Sequence, residues 1–227
     1  MSEEPIKLTV TNIDNIHDDL ACFSMAAENG LSDFIPGQVA VLSLDGQAKS
    51  YFAIASAPGE DTLSFLVKRG SGVSGALFEQ GIGSSVLMTG PVGKGFPITE
   101  YRGHDLLLMA AGTAIAPIRS VIRSVLAHRH DYGKVILIYG VREPAHFAFQ
   151  DEVESWRDQS IMVVLTCSQP GSAAWNGEVG YVQHRLEDVA EHLERPVALI
   201  CGMKEMMQQT SEELTRRFPG IQVLTNY

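Results

Sequence analysis

Two stretches carry residue types suited to holding an anion. "AAGTAIAP", Ala110 to Pro117, follows a continuous apolar run and opens onto helical spacing. Gly112 permits a tight turn, Thr113 offers a hydroxyl, and Pro117 falls in the first helical turn, where a missing N–H costs little. Free backbone N–H groups and the positive end of a helix favour a pyrophosphate at such a place. The same residues also read as an ordinary strand-to-helix turn. "SFLVKRGSGVSGALF", Ser64 to Phe78, repeats the theme. Lys68 and Arg69 bring positive charge, and Gly72, Val73, Ser74 and Gly75 present N–H groups at a helix start. A helix capped by Ser74 explains these residues without any ligand.

Three further segments end apolar runs with small or polar residues. They are "YGVRE" (Tyr139 to Glu143), "TCSQP" (Thr166 to Pro170) and "CGMKEM" (Cys201 to Met206). Each reads alone as loop chemistry, and a lone Cys201 reads as a buried structural thiol. The three cysteines, Cys22, Cys167 and Cys201, fit neither a disulfide framework nor a metal spacing. The seven histidines show no metal-type pairing with carboxylates in the sequence, so no metal site is expected.

The elements that must position these residues change character along the chain. In the first half, short apolar or alternating runs ("IKLTVTNI", "LACFSMAA", "GQVAVLSL", "YFAIASAP", "DTLSFLVKR") are separated by Gly, Pro, Asn and Asp. That spacing predicts an antiparallel barrel, interrupted by one helix over "GVSGALFEQG". In the second half strands and helices alternate. "HDLLLMAA", "KVILIYGV", "IMVVLTCS", "PVALICG" and "IQVLTNY" read as strands. Helices are expected from Ile115, over "HFAFQDEVESWRD", over "YVQHRLEDVAEHL" and over "MKEMMQQTSEELTRRF". This pattern predicts a doubly wound parallel sheet. The division is expected at residues 1–98 and 99–227. In such a sheet, ligands bind outside the carboxyl ends of the strands, where four of the segments above would sit.

Composition narrows the partners. Of 227 residues, 45% are hydrophobic and 19% charged, as in a globular protein. The formal net charge of −10 argues against nucleic acid and anionic membrane surfaces. No apolar stretch is long enough to span a bilayer, so no membrane insertion is expected. The start, "MSEEPIKLTV", has no leader character, and a cytoplasmic location is expected.

Taken in order, "GPVGKGF", "AAGTAIAPIRSVI", "LIYGVREPAHFAFQDEV", "GYVQHRL" and "LICGMKEMM" resemble plant-type members of the ferredoxin–NADP reductase family. The resemblance runs nearly the whole length and extends to the terminal aromatic Tyr227. It implies a six-stranded antiparallel Greek-key barrel that binds FAD, a sheet domain that binds NADH or NADPH, and electron transfer onward to a protein or small-molecule acceptor. Cys201, Gly202 and Met203 would lie near the nicotinamide, with Cys201 and Tyr227 as the catalytic candidates and Tyr227 covering the flavin. Gly112, Thr113 and Pro117 would follow the dinucleotide pyrophosphate. Gly140, Arg142, Ser168 and Tyr181 would line the rest of that cleft. Phe52 would stack on the flavin, beside Ala53. "LVKR", with Leu66, Val67 and Lys68, and "GVS", with Gly72, Val73 and Ser74, would hold the flavin and its phosphates.

The chain departs from the family at three places. The flavin strand's Arg-any-Tyr-Ser becomes Ser50, Tyr51, Phe52 and Ala53, a carboxylate near the end becomes Thr225, and a glycine becomes Ala114. These departures also support an alternative, a non-catalytic or electron-transfer subunit with weak or absent flavin. Gln169 and Val179 replace the cations that NADP-selective relatives use, which favours NADH. Arg119, Arg123, Arg129 and Lys94 are expected to form a basic docking face for the acceptor.

Overall fold

A computed structural model describes residues 4–28, 33–44, 48–172 and 174–226. The first half forms strands β1 (Ile6–His17), β2 (Leu20–Ala27), β3 (Val39–Ser43), β4 (Ser50–Ala53), β5 (Thr62–Lys68) and β6 (Ser85–Val92), with helix α1 (Val73–Gln80) between the last two. They make one antiparallel sheet in the order β4-β3-β6-β1-β2-β5. Its two edges meet where Ile54, just past β4, bridges to Phe65 of β5, so the sheet curls into a barrel. Alternate residues fill the interior. Leu8, Phe23, Met25, Leu42, Phe65 and Val67 are fully buried there with Val73 and Leu77 of α1.

The second half comprises β7 (Asp105–Ala111), α2 (Ile115–Ala127), β8 (Val135–Val141), α3 (Gln150–Asp158), β9 (Ile161–Cys167), β10 (Glu178–Val179), α4 (Leu186–Ala190), β11 (Pro196–Cys201), α5 (Lys204–Arg217) and β12 (Gln222–Leu224). Its strands run parallel in the order β10-β9-β8-β7-β11-β12. Continuous apolar strands arise because both faces are covered. Leu106, Leu108 and Ala110 of β7 pack toward α2 and α3, while Leu107 and Met109 pack toward α4 and α5. The direction of winding reverses between β7 and β11, the topological switch point at which such sheets open a crevice.

Local chemistry moved several expected boundaries. The helix expected over 146–158 begins only at Gln150. A 3₁₀ turn, Pro144–His146, precedes it, and Phe149 then adopts a left-handed φ of 60°. Burial of Phe147 and Ala148 between the halves outweighs helix continuation there. The helix expected over 181–193 divides into a 3₁₀ turn, Val182–Arg185, and the short α4. Ser74 does not cap α1. Gly72 stands at the cap with φ 66°, a conformation that favours glycine, and the Ser74 hydroxyl donates to the Ser71 carbonyl instead. Gly81 ends the helix as expected. Strand β10 was not foreseen.

One network ties the halves together. Arg119 of α2 donates to the Ala55 carbonyl (2.9 Å) and the Ser64 hydroxyl (3.1 Å), and it pairs with Glu152 (2.6 Å). Its guanidinium also lies 4.5 Å from the centre of the Phe149 ring. Ser120 donates to the Ser56 carbonyl (2.6 Å), and Arg123 pairs with Glu60 (2.6 Å). Arg129 is committed to the carbonyls of Tyr132, Gly133 and Ser160. The expected docking face is therefore corrected: Arg119 and Arg123 are engaged across the seam because α2 turns that side to the barrel, and Arg129, beyond α2, is tied to nearby backbone carbonyls.

Candidate functional site

The carboxyl edge of the parallel sheet gathers the segments that the sequence pointed to. β7 ends at Ala111 and passes through a 3₁₀ turn, Gly112–Ala114, into α2. Gly112 has φ 59°, and a Cβ built on it would meet nothing within 4 Å. The backbone there faces open space, Thr113 is exposed, and no side chain caps the turn. Pro117 lies in the first turn of α2 as expected, but it is buried beside Gly37 of the barrel side.

Across the switch point, Cys201 of β11 pairs in register with Ala110 of β7. Gly202 follows, and a Cβ there would stand 2.9 Å from the Met206 sulfur. Glycine at 202 thus lets α5 start close to the strand end. Met203, the residue before α5, is 71% exposed. The Cys201 thiol is buried and lies 3.5 Å from the Asn226 side-chain oxygen. Burial pushes the thiol up to about 12, against a weaker opposing hydrogen bond from the Gly202 backbone. It is a neutral thiol at physiological pH, so any role is in packing or polarity and not as a thiolate nucleophile. Asn226 also donates to the Gly37 carbonyl (3.1 Å), fastening the chain end to the barrel side. Sequence reasoning passed over Asn226, since nothing in its neighbours signals burial. Tyr227 lies outside the described residues.

Farther along the edge, Gly140 is buried, and a Cβ on it would stand 2.5 Å from Val182, so this glycine serves packing. Arg142 projects outward and donates to the Gln169 side chain (2.9 Å). Ser168, half-buried, is held by its N–H to the Val141 carbonyl. Tyr181 is 55% exposed and stands edge-on to His184. Arg185 is already paired with Glu178 (2.8 Å) and Asp188 (3.3 Å).

On the barrel, loop 70–72 folds tightly onto the start of α1. A Cβ at Gly75 would come within 2.5 Å of the Gly70 carbonyl oxygen, so only glycine permits this closure. The exposed loop and the uncapped first turn leave N–H groups without intrahelical acceptors, which suits an anion. The two neighbouring cations have partners: Lys68 lies 3.5 Å from Asp19, and Arg69 lies over the Phe78 ring. Leu66 is buried between the halves and Val67 inside the barrel, so both offer only backbone. Phe52 is half-buried against the barrel core, whereas its neighbour Tyr51 is 71% exposed. Ala53, on the face opposite Phe52, packs into the seam between the halves. Among the described residues, the fold also brings His17, Asp19 and His146 together, a grouping that their separation in sequence conceals.

A model of the oxidoreductase NAD-binding domain matches residues 108–212. The sulfhydrogenase 1 gamma subunit of Pyrococcus furiosus is 28% identical over 186 residues, and the match covers 80% of this chain and 63% of that protein. Ferredoxin–NADP reductase B of Sorangium cellulosum is 28% identical over 181 residues, covering 74% and 72%. Among solved structures, an Amycolatopsis cytochrome P450 reductase superposes with a TM-score of 0.86 at 25% identity, over 98% of this chain and 69% of that one. A Neisseria gonorrhoeae ferredoxin NADP+ reductase with bound FAD and NADP shares the fold at a TM-score of 0.81 and 22% identity, over 96% of each chain.

Proposed function

We propose that this chain, which resembles the ferredoxin–NADP reductase family, is an FAD-dependent oxidoreductase moving electrons between NADH and a protein or small-molecule acceptor. The observation that carries this reading is the topological switch point, where the uncovered Gly112 turn after β7 adjoins the Cys201–Gly202 end of β11. A pyrophosphate suits the N–H groups of that turn.

FAD fits the barrel at the glycine-closed loop before α1, a closure that a Cβ at position 75 would break by meeting the Gly70 carbonyl oxygen. The backbone of Leu66 to Lys68 and the N–H groups of Gly72, Val73 and Ser74 would hold it, with Ala53 beside the ring and Phe52 on the opposite face of β4 supporting the strand from the barrel core. Tyr51 is a second aromatic on the same strand. When bound, the flavin supplies hydride acceptance from the nicotinamide and single-electron release. This chain's residues bind and orient. Thr113 and Gly112 receive the pyrophosphate, Ser168, Arg142 and Tyr181 border the adenosine end, and Gly202 and Met203 border the nicotinamide end. Cys201 contributes a neutral, polarisable surface, and Tyr227 would shield the flavin.

NADH is the preferred dinucleotide in this account. Gln169 and Val179 offer no charge to a 2′-phosphate, and Arg185 is neutralised by two carboxylates. A charge-assisted hydrogen bond is worth about 1.5–3 kcal/mol, roughly tenfold to a hundredfold in affinity. With Arg119, Arg123 and Arg129 engaged elsewhere, a net charge of −10 disfavours a strongly acidic acceptor. The three cysteines are free and buried, which suits a reducing compartment such as the cytoplasm. No helix among the described residues is long and apolar enough to cross a membrane.

A second reading, an electron-transfer subunit of a larger assembly, draws on the gamma-subunit relative and on the 63% of that protein which this chain spans. Titration with FAD separates a flavoprotein from a flavin-free module. The proposal expects saturable quenching of flavin fluorescence and a rise in melting temperature. Neither change would occur if the fold serves only as a module.

A further inference from the structure

We propose that His17, Asp19 and His146 bind one divalent transition-metal ion of the zinc class, clasping the barrel to the parallel-sheet half. His17 closes β1, and Asp19 lies in the turn before β2. His146 ends the 3₁₀ turn that follows β8. The three residues thus come from opposite sides of the seam. One ligand atom from each lies within 4.8 Å of the other two. His17 Nδ1 is 2.9 Å from Asp19 Oδ1, and His146 Nε2 is 3.9 Å from the same oxygen.

These separations bracket what an ion needs. Zinc–ligand bonds of about 2.0–2.2 Å in tetrahedral array put neighbouring ligand atoms roughly 3.4 Å apart. The two separations to Asp19 Oδ1 need adjustments of about half an ångström, and the histidine nitrogens, within 4.8 Å of each other, need to close by at most about 1.4 Å, which rotation of partly exposed side chains supplies. The turn bearing Asp19 is fixed, since its carbonyl accepts the Arg69 N–H at 2.7 Å. The other carboxylate oxygen, Oδ2, faces Lys68 at 3.5 Å, which leaves Oδ1 for the ion.

Among the described residues, the His146 ring makes no hydrogen bond without a metal, although its backbone N–H donates to the Glu143 carbonyl. Its Nδ1 is buried with no partner among the described residues, and 3.9 Å from Nε2 to Asp19 exceeds hydrogen-bond range. An ion held at Asp19 Oδ1 gives Nε2 a partner, with the ring centres, 4.4 Å apart without it, moving slightly apart as both nitrogens turn to the metal. Two imidazoles and one carboxylate suit zinc and its neighbours, whereas magnesium and calcium require oxygen ligands. Three protein ligands leave a position for water, and side-chain exposures of 25–37% leave the ion a route in.

The test is calorimetric titration of the full chain with zinc chloride, after dialysis against chelator. The wild type should bind one tight equivalent and melt at a higher temperature with zinc than with chelator. His17→Gln and His146→Gln, from opposite halves, should each weaken binding roughly tenfold or more and abolish the thermal gain. His192→Gln, an exposed histidine elsewhere, should change neither, and magnesium should not bind. Melting in chelator verifies that each variant is folded. Absence of saturable zinc binding by the wild type overturns the proposal, as does binding that survives both substitutions.

Discussion

Replacing Arg119 with methionine tests the seam that positions the proposed flavin strand. The side chain is 11% exposed and serves three acceptors: the Ala55 carbonyl, the Ser64 hydroxyl and Glu152. Methionine fills the volume but donates nothing. A buried acceptor left unsatisfied costs about 1–3 kcal/mol. Ala55 and Ser64 lie wholly inside, whereas Glu152 is 28% exposed and keeps Arg123 at 3.6 Å, so its penalty is small. The expected loss is about 3 kcal/mol, which corresponds to a fall of roughly 6–12 °C in melting temperature for a chain of this length. Urea and thermal unfolding measure it directly. Ala55 is two residues from Ala53, so FAD retention should fall as well. A loss below about 1 kcal/mol would refute the view that Arg119 is a structural pin.

Three further outcomes follow from particular contacts. Gly75→Ala should abolish FAD quenching, because its Cβ would displace the Gly70 carbonyl, although alanine improves helix propensity by about 1 kcal/mol; unchanged FAD affinity would remove α1 from the site. Gln169→Arg should improve steady-state use of NADPH roughly tenfold to a hundredfold with little change for NADH, and no gain would show that this strand end does not meet the 2′-phosphate. Cys201→Ser should slow flavin reduction by NADH without introducing or removing a pH break near neutrality, since a thiol pushed up to about 12 stays protonated there; a loss of stability at an unchanged rate would make it a core thiol only.

The two-part architecture was legible because period-two and continuous apolar runs are local properties. β2 and β5 fall almost where their patterns end, and the parallel strands declare themselves by being apolar on both faces. The roles of Arg119 and Arg123 were not legible. Helical spacing shows that the arginines share a side, but not that the barrel covers it. Nor does sequence reveal that Phe149 would turn left-handed to admit Phe147 into the seam, or that Gly72 rather than Ser74 would cap α1. Gly112 and Gly202 follow the ends of β7 and β11, the neighbouring strands of the switch point. Gly140 was grouped with them, yet its missing side chain makes room for Val182. Asn226, and the meeting of His17 and Asp19 with His146, depend on contacts between distant segments that no local pattern encodes.

The most direct test of the central claim is anaerobic mixing of FAD-reconstituted protein with NADH, following the visible flavin band by stopped flow. The account predicts stoichiometric bleaching, faster and at lower concentration with NADH than with NADPH, and recovery of the band when an electron acceptor is added. A bound flavin that neither dinucleotide bleaches, or protein that binds no flavin at saturating FAD, would contradict it.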